Sequence, residues 1–209
     1  YAGEYKEAFS LSNLPSRYLK CFPQLKGIPI KYCDHHYSHA CAGYFTSTFN
    51  ESAIVVIDAI GEWETCTIWY AWGSHFEKRY SIKYPNSLGL WYSSMTQRLG
   101  LKPQEDEFIL MGMAGWGQVD EELKYHIRKD FFNDSNEPID MKANVHRGCR
   151  DWDSRYYPDD ESDKWNFTIA ANVQRICEEE ILKIMKLAKL LVPQTNNCVY
   201  MGGVALNCV

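Results

Sequence analysis

Residues 53–57, Ala-Ile-Val-Val-Ile, form an unbroken apolar run dominated by β-branched side chains, and such a run reads as a buried strand. Asp58 follows at once, at the carboxyl end of that strand, where open α/β sheets place their ligand chemistry. The next two stretches narrow the choice of fold. From Glu64 to Trp72 apolar residues alternate, with Cys66, Ile68, Tyr70 and Trp72 on one face, and His75–Tyr84 continues the pattern after the tight Gly73-Ser74 connection. Three consecutive strands over 53–84 predict an antiparallel meander, and Cys198–Met201 predicts a further strand of the same sheet. Helical stripes elsewhere supply the layers that cover it, so the fold class is α/β, a mixed sheet flanked by helices.

The helical stretches carry their own punctuation. His35 to Thr48 is predicted as a helix whose Ala40, Ala42, Gly43 and Ser47 let a neighbouring backbone come close. Ser87 reads as the N-cap of a helix in which Leu88, Trp91, Tyr92, Met95 and Leu99 recur at helical spacing until Gly100 and Pro103 end it. Glu105-Asp106-Glu107 opens the next element, where three acids either complement a helix dipole or serve a site. The run Met111 to Gly117 is broken by glycines that helix propensity would not choose. Asp120–Phe132 reads as an exposed helix and 133–162 as a long polar excursion in which His146 and Arg147 have no assigned role. Residues 166–191 read as a long helix covering the sheet, with Gln174 facing solvent. Before these, residues 1–20 read as short helix and turn and Ile28–Cys33 as a short strand.

Chemistry concentrates in Asp34-His35-His36-Tyr37-Ser38-His39-Ala40. His35 and His39 are four apart, so on a helix both imidazoles lie on one face, one turn above the other, and can reach one ion together with Asp58. Two neutral imidazoles and a carboxylate suit iron, manganese or zinc. A His pair at this separation also arises with no ligand role, so the neighbouring motifs must carry the reading. His36 falls on a different face and is read as a hydrogen-bonded histidine behind the ligands. At the other end of the chain, Gly202 and Gly203 follow the last strand and offer bare backbone against which a nucleotide can lie, with Asn207 closing the turn.

Composition excludes several classes. With 22 basic and 27 acidic residues, net charge −5, and no long block of one sign, the chain has no electrostatic footprint for nucleic acid. No apolar run reaches the roughly 20 residues that span a bilayer, and the polar start is not a signal peptide. Eight scattered cysteines without a C-x-x-C pair fit a reduced, cytoplasmic protein better than a disulfide framework or zinc knuckle. A chain that is 45% hydrophobic over 209 residues can bury a sizeable core, and the absence of an initiator methionine is what an excised fragment would show.

The strings HHYSHA at 35–40, DAIGE at 58–62, SLGLWYSSMT at 87–96, EDEFILMGMAGWG at 105–117 and GGVALNCV at 202–209, in that order, resemble the nodulation-type O-carbamoyltransferases. The resemblance spans the chain except the first thirty residues and the loop near 133–162. It implies a catalytic domain like that of the tRNA threonylcarbamoylation enzymes, on the duplicated ribonuclease-H-like fold of actin and hexokinase. Residues 1–52 would then end the first ribonuclease-H-like unit and carry the metal-binding helix, and 53–209 would supply most of the second. The resemblance maps one metal ion, iron with manganese or zinc as alternatives, onto His35, His39 and Asp58, with a further aspartate ligand beyond Val209. It maps nucleotide contacts onto Gly61, Gly202, Gly203 and Asn207, and leaves the catalytic residue unassigned. Two positions depart from the family pattern: Ala59 stands where a Gly is usual, and Ile109 where a Lys is usual.

The implied reaction takes carbamoyl phosphate and ATP to carbamoyl adenylate and passes the carbamoyl group to an acceptor hydroxyl, with the adenylate made in a YrdC-like domain elsewhere in the full-length chain. Two other readings stand beside it. An actin-like kinase or ATPase would keep the phosphate loops and need no His pair, and a sugar- or nucleotide-binding module would draw on the seven Trp and fourteen Tyr. Metalloprotease chemistry is disfavoured, because HHYSH lacks the Glu that follows the first His of H-E-x-x-H.

Overall fold

Strand β1 (Glu51–Gly61) pairs antiparallel with β2 (Glu64–Trp72), and β2 with β3 (His75–Lys83), which is the predicted meander. The short β4 (Cys198–Met201) lies parallel to β1 on its other side, giving the order β3-β2-β1-β4. The computed structural model describes residues 20–29, 31–149 and 163–209. These fall into two compact units, Tyr1–Cys33 and Asp34–Val209. In the first, Lys20 and Cys21 are helical and Pro23–Leu25 forms a 3-10 turn, and no strand is present among the described residues of the expected 28–33 segment. The helix and turn expected over 1–20 lie almost wholly outside the described residues.

Because β1 is interior to the sheet, successive side chains go to two different cores. Ala53, Val55 and Ile57, with Cys66 and Ile68 of β2, face a large core built by α2 (Leu88–Arg98), α3 (Glu107–Ala114), α4 (Glu121–Phe131) and α5 (Asp163–Leu191). Ile54 and Val56, with Trp69, Ala71 and Val199, face a smaller core closed by Ala40 and Tyr44 of α1 (His35–Thr46). This two-sided burial is why the strand reads as continuous apolar sequence rather than as an alternation. Each such side chain is worth about 1.5–3 kcal/mol when withdrawn from water, so β1 is the member the other elements assemble upon. Gly43 explains the small residues of α1: a Cβ there would sit 2.5 Å from Met201 Cγ, so only glycine lets this helix seat on β4.

Several expectations are corrected. Strand β1 is longer than the 53–57 run that marks it: it continues to Gly61 through a register shift after Ile57, and the turn falls at Glu62, which has φ 62. Trp72 lies beyond the covering helices and is exposed. Helix α1 stops at Thr46 because the Ser47 N–H turns back to the Tyr44 carbonyl. Helix α4 is not simply exposed, since Leu123, Ile127 and Phe131 form a buried stripe. The excursion from 133 is packed as far as it is described: Phe132 and Met141 pair in a bridge, and Ile139, Val145 and Cys149 are buried. Buried Glu180 of α5 organises this region, accepting from Arg128 Nη2 at 2.5 Å, Lys183 Nζ at 2.9 Å and the Ile139 N–H at 2.8 Å. Residues 150–162 of the expected loop lie outside the described residues. Among the described residues no helix is long and apolar enough to cross a membrane.

Candidate metal centre and adjoining cavity

Helix α1 turns His36, Ala40, Gly43 and Tyr44 toward the sheet, a stripe at i, i+4, i+7 and i+8. His35 and His39 stand beside that stripe, one turn apart, and lean over the end of β1. There the bulge after Ile57 swings Asp58 out between them. His35 Nε2 lies 3.0 Å and His39 Nε2 3.2 Å from Asp58 Oδ2, and the two imidazole nitrogens are 3.1 Å apart. The three residues expected to share an ion are thus brought together, with donor atoms within 4.8 Å of one another.

The set fits a divalent cation. Three lone-pair-bearing atoms meet here, so their contacts are attractive only with a proton or a cation between them. For bonds of about 2.1 Å, neighbouring ligands of an octahedral ion stand about 3.0 Å apart, and those of a tetrahedral ion about 3.4 Å. The observed edges of 3.0, 3.1 and 3.2 Å are short enough for all three atoms to reach one ion. Side-chain exposures of 43% for His35, 32% for His39 and 17% for Asp58 leave the opposite face open to a ligand or substrate. Burial pushes the Asp58 carboxyl up, but the hydrogen bond from His35, the Ala59 N–H at 2.8 Å and the charges of His35 and His39 outweigh it. The carboxyl is held below its ordinary value and ready as an anionic ligand.

Behind the pair, His36 is buried, with Nδ1 3.0 Å from Thr67 Oγ1, which also receives the Trp69 indole N–H at 2.8 Å. Its Nε2 has no hydrogen-bond partner among the described residues. Burial lowers this imidazole to about 4, against the opposing pull of the Glu64 and Asp58 carboxylates, so it stays neutral at pH 7 and fixes the first turn of α1. Gly61 completes the seat. A Cβ there would lie 2.5 Å from His36 Cδ2 and 2.6 Å from His35 Cδ2, so the bare backbone of Gly61 is what lets both rings approach β1.

Asp58 also opens onto a cavity of about 350 Å3. Gly203, Val204, Leu206 and Asn207 form one wall, Gly89, Tyr92 and Ser93 of α2 a second, and Glu105, Glu107, Phe108 and Met111 a third. The wall nearest Asp58 is clamped by Ser87. Its hydroxyl caps α2 by accepting from the Leu90 N–H at 3.1 Å and donates to the Ala59 carbonyl at 2.5 Å, binding the helix start to the bulge. Gly202, at φ 97, approaches so closely that a Cβ would lie 2.2 Å from the Ile57 carbonyl oxygen. Of the four expected nucleotide contacts, Gly203 and Asn207 line the cavity, while Gly61 and Gly202 do not: Gly61 packs on the rings of His35 and His36, and Gly202 on the Ile57 backbone. No lysine or arginine is among the lining residues, and Ile109 offers no cation.

The family described as Carbamoyltransferase N-terminus matches residues 16–209. The chain belongs to that family. Among relatives of this carbamoyltransferase-family chain, an uncharacterized protein of Synechocystis sp. is 31% identical over 201 residues, covering 87% of this chain and 31% of the relative. An uncharacterized protein of Methanocaldococcus jannaschii is 23% identical over 169 residues, 74% of this chain and 28% of the relative. The nodulation protein NolNO of Sinorhizobium fredii is 31% identical over 88 residues, 42% of this chain and 13% of that protein. The chain therefore spans less than a third of the length of the curated relatives it matches.

Within this carbamoyltransferase-family chain, one of the two readings left open for the 105–107 acids is favoured and the expectation for Gln174 is corrected. Glu107 accepts from Ser93 Oγ at 2.5 Å and from the Gln104 N–H at 2.6 Å, with Gln104 at φ 66, so the acid at the start of α3 serves the cavity wall. Gln174, expected to face solvent, is 4% exposed and hydrogen-bonded to Tyr92 and Asn207. The acid cluster at 105–107 was a signal for the first. No spacing signals the second, because α5 is otherwise an ordinary covering helix.

Proposed function

We propose that the intact protein moves a carbamoyl group from carbamoyl phosphate, through an ATP-derived carbamoyl adenylate, to a hydroxyl of a small-molecule or sugar acceptor, and that this chain supplies the transfer site. The observation that carries the proposal is the position of Asp58: one carboxylate joins the His35–His39 pair and also lines the cavity, so a metal-binding face and a substrate-sized cavity adjoin in a carbamoyltransferase-family chain. On this reading the sheet belongs to a ribonuclease-H-like fold, with 1–52 ending its first unit and 53–209 supplying most of its second. A YrdC-like domain elsewhere in the protein makes the adenylate.

In the transfer step the acceptor oxygen bonds to the carbamoyl carbon, the bond from that carbon to the adenylate oxygen breaks, AMP leaves, and the acceptor proton passes to a carboxylate of the cavity wall. His35, His39 and Asp58 would hold a divalent ion, iron in the first instance, whose chemistry when bound would be Lewis-acid stabilisation of a phosphate or carbamoyl oxygen. The chain's own residues do the positioning. Gly203 and Asn207 present the turn to the nucleoside, and Phe108 and Met111 supply the apolar wall that faces it. A kinase or ATPase of the same superfold would have no use for two imidazoles meeting on Asp58.

The test uses the full-length protein. His39→Ala should lose its metal and, with it, transfer of labelled carbamoyl from carbamoyl phosphate to hydroxylated acceptors. Stoichiometric metal together with unchanged transfer in that variant would overturn the proposal.

A further inference from the structure

Gln174 sits on α5, between two cavities. It lines a second cavity of about 350 Å3 against Met111, Gly115, Gly117 and Val119, while its hydrogen-bond partners Tyr92 and Asn207 line the cavity beside Asp58. Its carboxamide is fully used. Oε1 accepts from the Tyr92 hydroxyl at 2.9 Å and from Asn207 Nδ2 at 2.8 Å, and Nε2 donates to Asn207 Oδ1 at 2.9 Å and to Glu178 Oε1 at 3.2 Å. The direction of this amide is dictated from outside it. A carboxylate only accepts, so Glu178 demands the nitrogen on its side, and the Tyr92 hydroxyl takes the oxygen. Asn207 then pairs in one orientation only, oxygen to nitrogen and nitrogen to oxygen. The second Nδ2–H of Asn207 is directed at the Tyr92 oxygen, and both Asn207 and Tyr92 line the cavity beside Asp58.

We propose that Gln174 is a positioning residue that fixes the orientation of the Asn207 amide at the wall of the cavity beside Asp58 and thereby its contact with the ligand there. The inference rests on the reading of that cavity as the nucleotide site. Gln174 touches no ligand there. It acts through Asn207, which without it can turn over and exchange donor for acceptor. The three partners come from α2, α5 and the turn after β4, far apart in sequence, so the latch also ties the turn to the two helices that face it.

The experiment is a double-mutant cycle in the full-length protein, with ATP as the probe and binding followed by calorimetry. Gln174→Met keeps the volume and helix propensity and removes the amide. We expect it to weaken ATP binding about tenfold, the usual cost of misdirecting one hydrogen-bonding group. Asn207→Ala should weaken binding by a similar factor, and the double variant should bind no more weakly than Asn207→Ala alone, because the two act as one unit. ATP affinity unchanged in Gln174→Met, or losses that multiply in the double variant, would overturn the proposal and leave the nucleotide site standing. Unchanged affinity in Asn207→Ala would overturn both. If Gln174→Met does not fold, Tyr92→Phe replaces it in the cycle: removing only the hydroxyl that pins Gln174 Oε1 should weaken ATP binding when Asn207 is present and not when it is alanine, and equal losses in both backgrounds would refute the coupling.

Discussion

Packing at the candidate metal centre is very tight at Gly61, and Gly61→Ala is therefore the most informative single perturbation. Its φ is not in the left-handed region, so alanine strains no backbone there and the effect comes from the added methyl alone. That methyl would stand 2.5 Å from His36 Cδ2, 2.6 Å from His35 Cδ2 and 2.9 Å from His36 Nε2. Carbon atoms in contact settle at about 3.5–4.0 Å, so the rings must withdraw by roughly 1 Å. His36 is 1% exposed and tied to Thr67, so it cannot swing into solvent, and the displacement is taken up by the first turn of α1, which carries His35. Metal–ligand bonds tolerate about 0.2 Å. Misplacing His35 should then weaken metal binding about 10–100-fold, or about 1.4–2.7 kcal/mol, and the overpacked methyl should cost a further 1–3 kcal/mol or so of folding stability. Metal content after dialysis against a graded chelator, with melting temperature measured in parallel on the full-length protein, checks both figures. Wild-type metal retention and melting in Gly61→Ala would refute the account of how the imidazoles are seated.

Three other outcomes are expected. Gly203→Val places a methyl-bearing carbon 2.9 Å from Asp58 Oδ1 and fills the turn, so ATP should no longer raise the melting temperature; retained protection would count against nucleotide at 202–207. His36, whose folded value of about 4 lies below the unfolded value near 6.5, contributes stability that is complete above pH 6.5 and is lost as pH falls toward 4, by at most about 3 kcal/mol. Denaturant titrations at pH 7, 6 and 5 should show that slope in the wild type and lose it in His36→Gln. Burial holds the Cys177 thiol up at about 12 and pushes Cys66 and Cys149 upward as well, so a thiol reagent at pH 8 should label exposed Cys21 and Cys208 at once and these three only on unfolding.

Much of the scaffold was legible because it depends on short-range periodicity. The run 53–57, the Ser87 cap and the stripe Leu88–Met95 each state which residues are apolar or where a helix starts, and the tertiary structure keeps them; the strand over 64–72 is kept too, although its Trp72 is exposed. The i, i+4 spacing of His35 and His39 likewise told that two imidazoles share a helix face. That they meet Asp58, with edges near 3 Å, was decided by the bulge after Ile57, by His36 locked against Thr67, and by a glycine at 61, none of which a period encodes. The same limit explains the misreadings. Periodicity reports whether a residue's own neighbours are apolar, and it is silent about a polar group whose partner arrives from another element. Gln174 was read as solvent-facing because glutamine on a covering helix usually is, and it is buried because Tyr92 and Asn207, 82 and 33 residues away, satisfy its amide. The segment 133–149 was read as a polar excursion, and it packs because Glu180 supplies the carboxylate that its Ile139 N–H and the Arg128 guanidinium need. Sequence determined the elements and the kinds of atom available. Only the tertiary structure decided which donors and acceptors meet, since that depends on how the chain crosses itself, and a buried polar group is stable only where such a crossing brings it a partner.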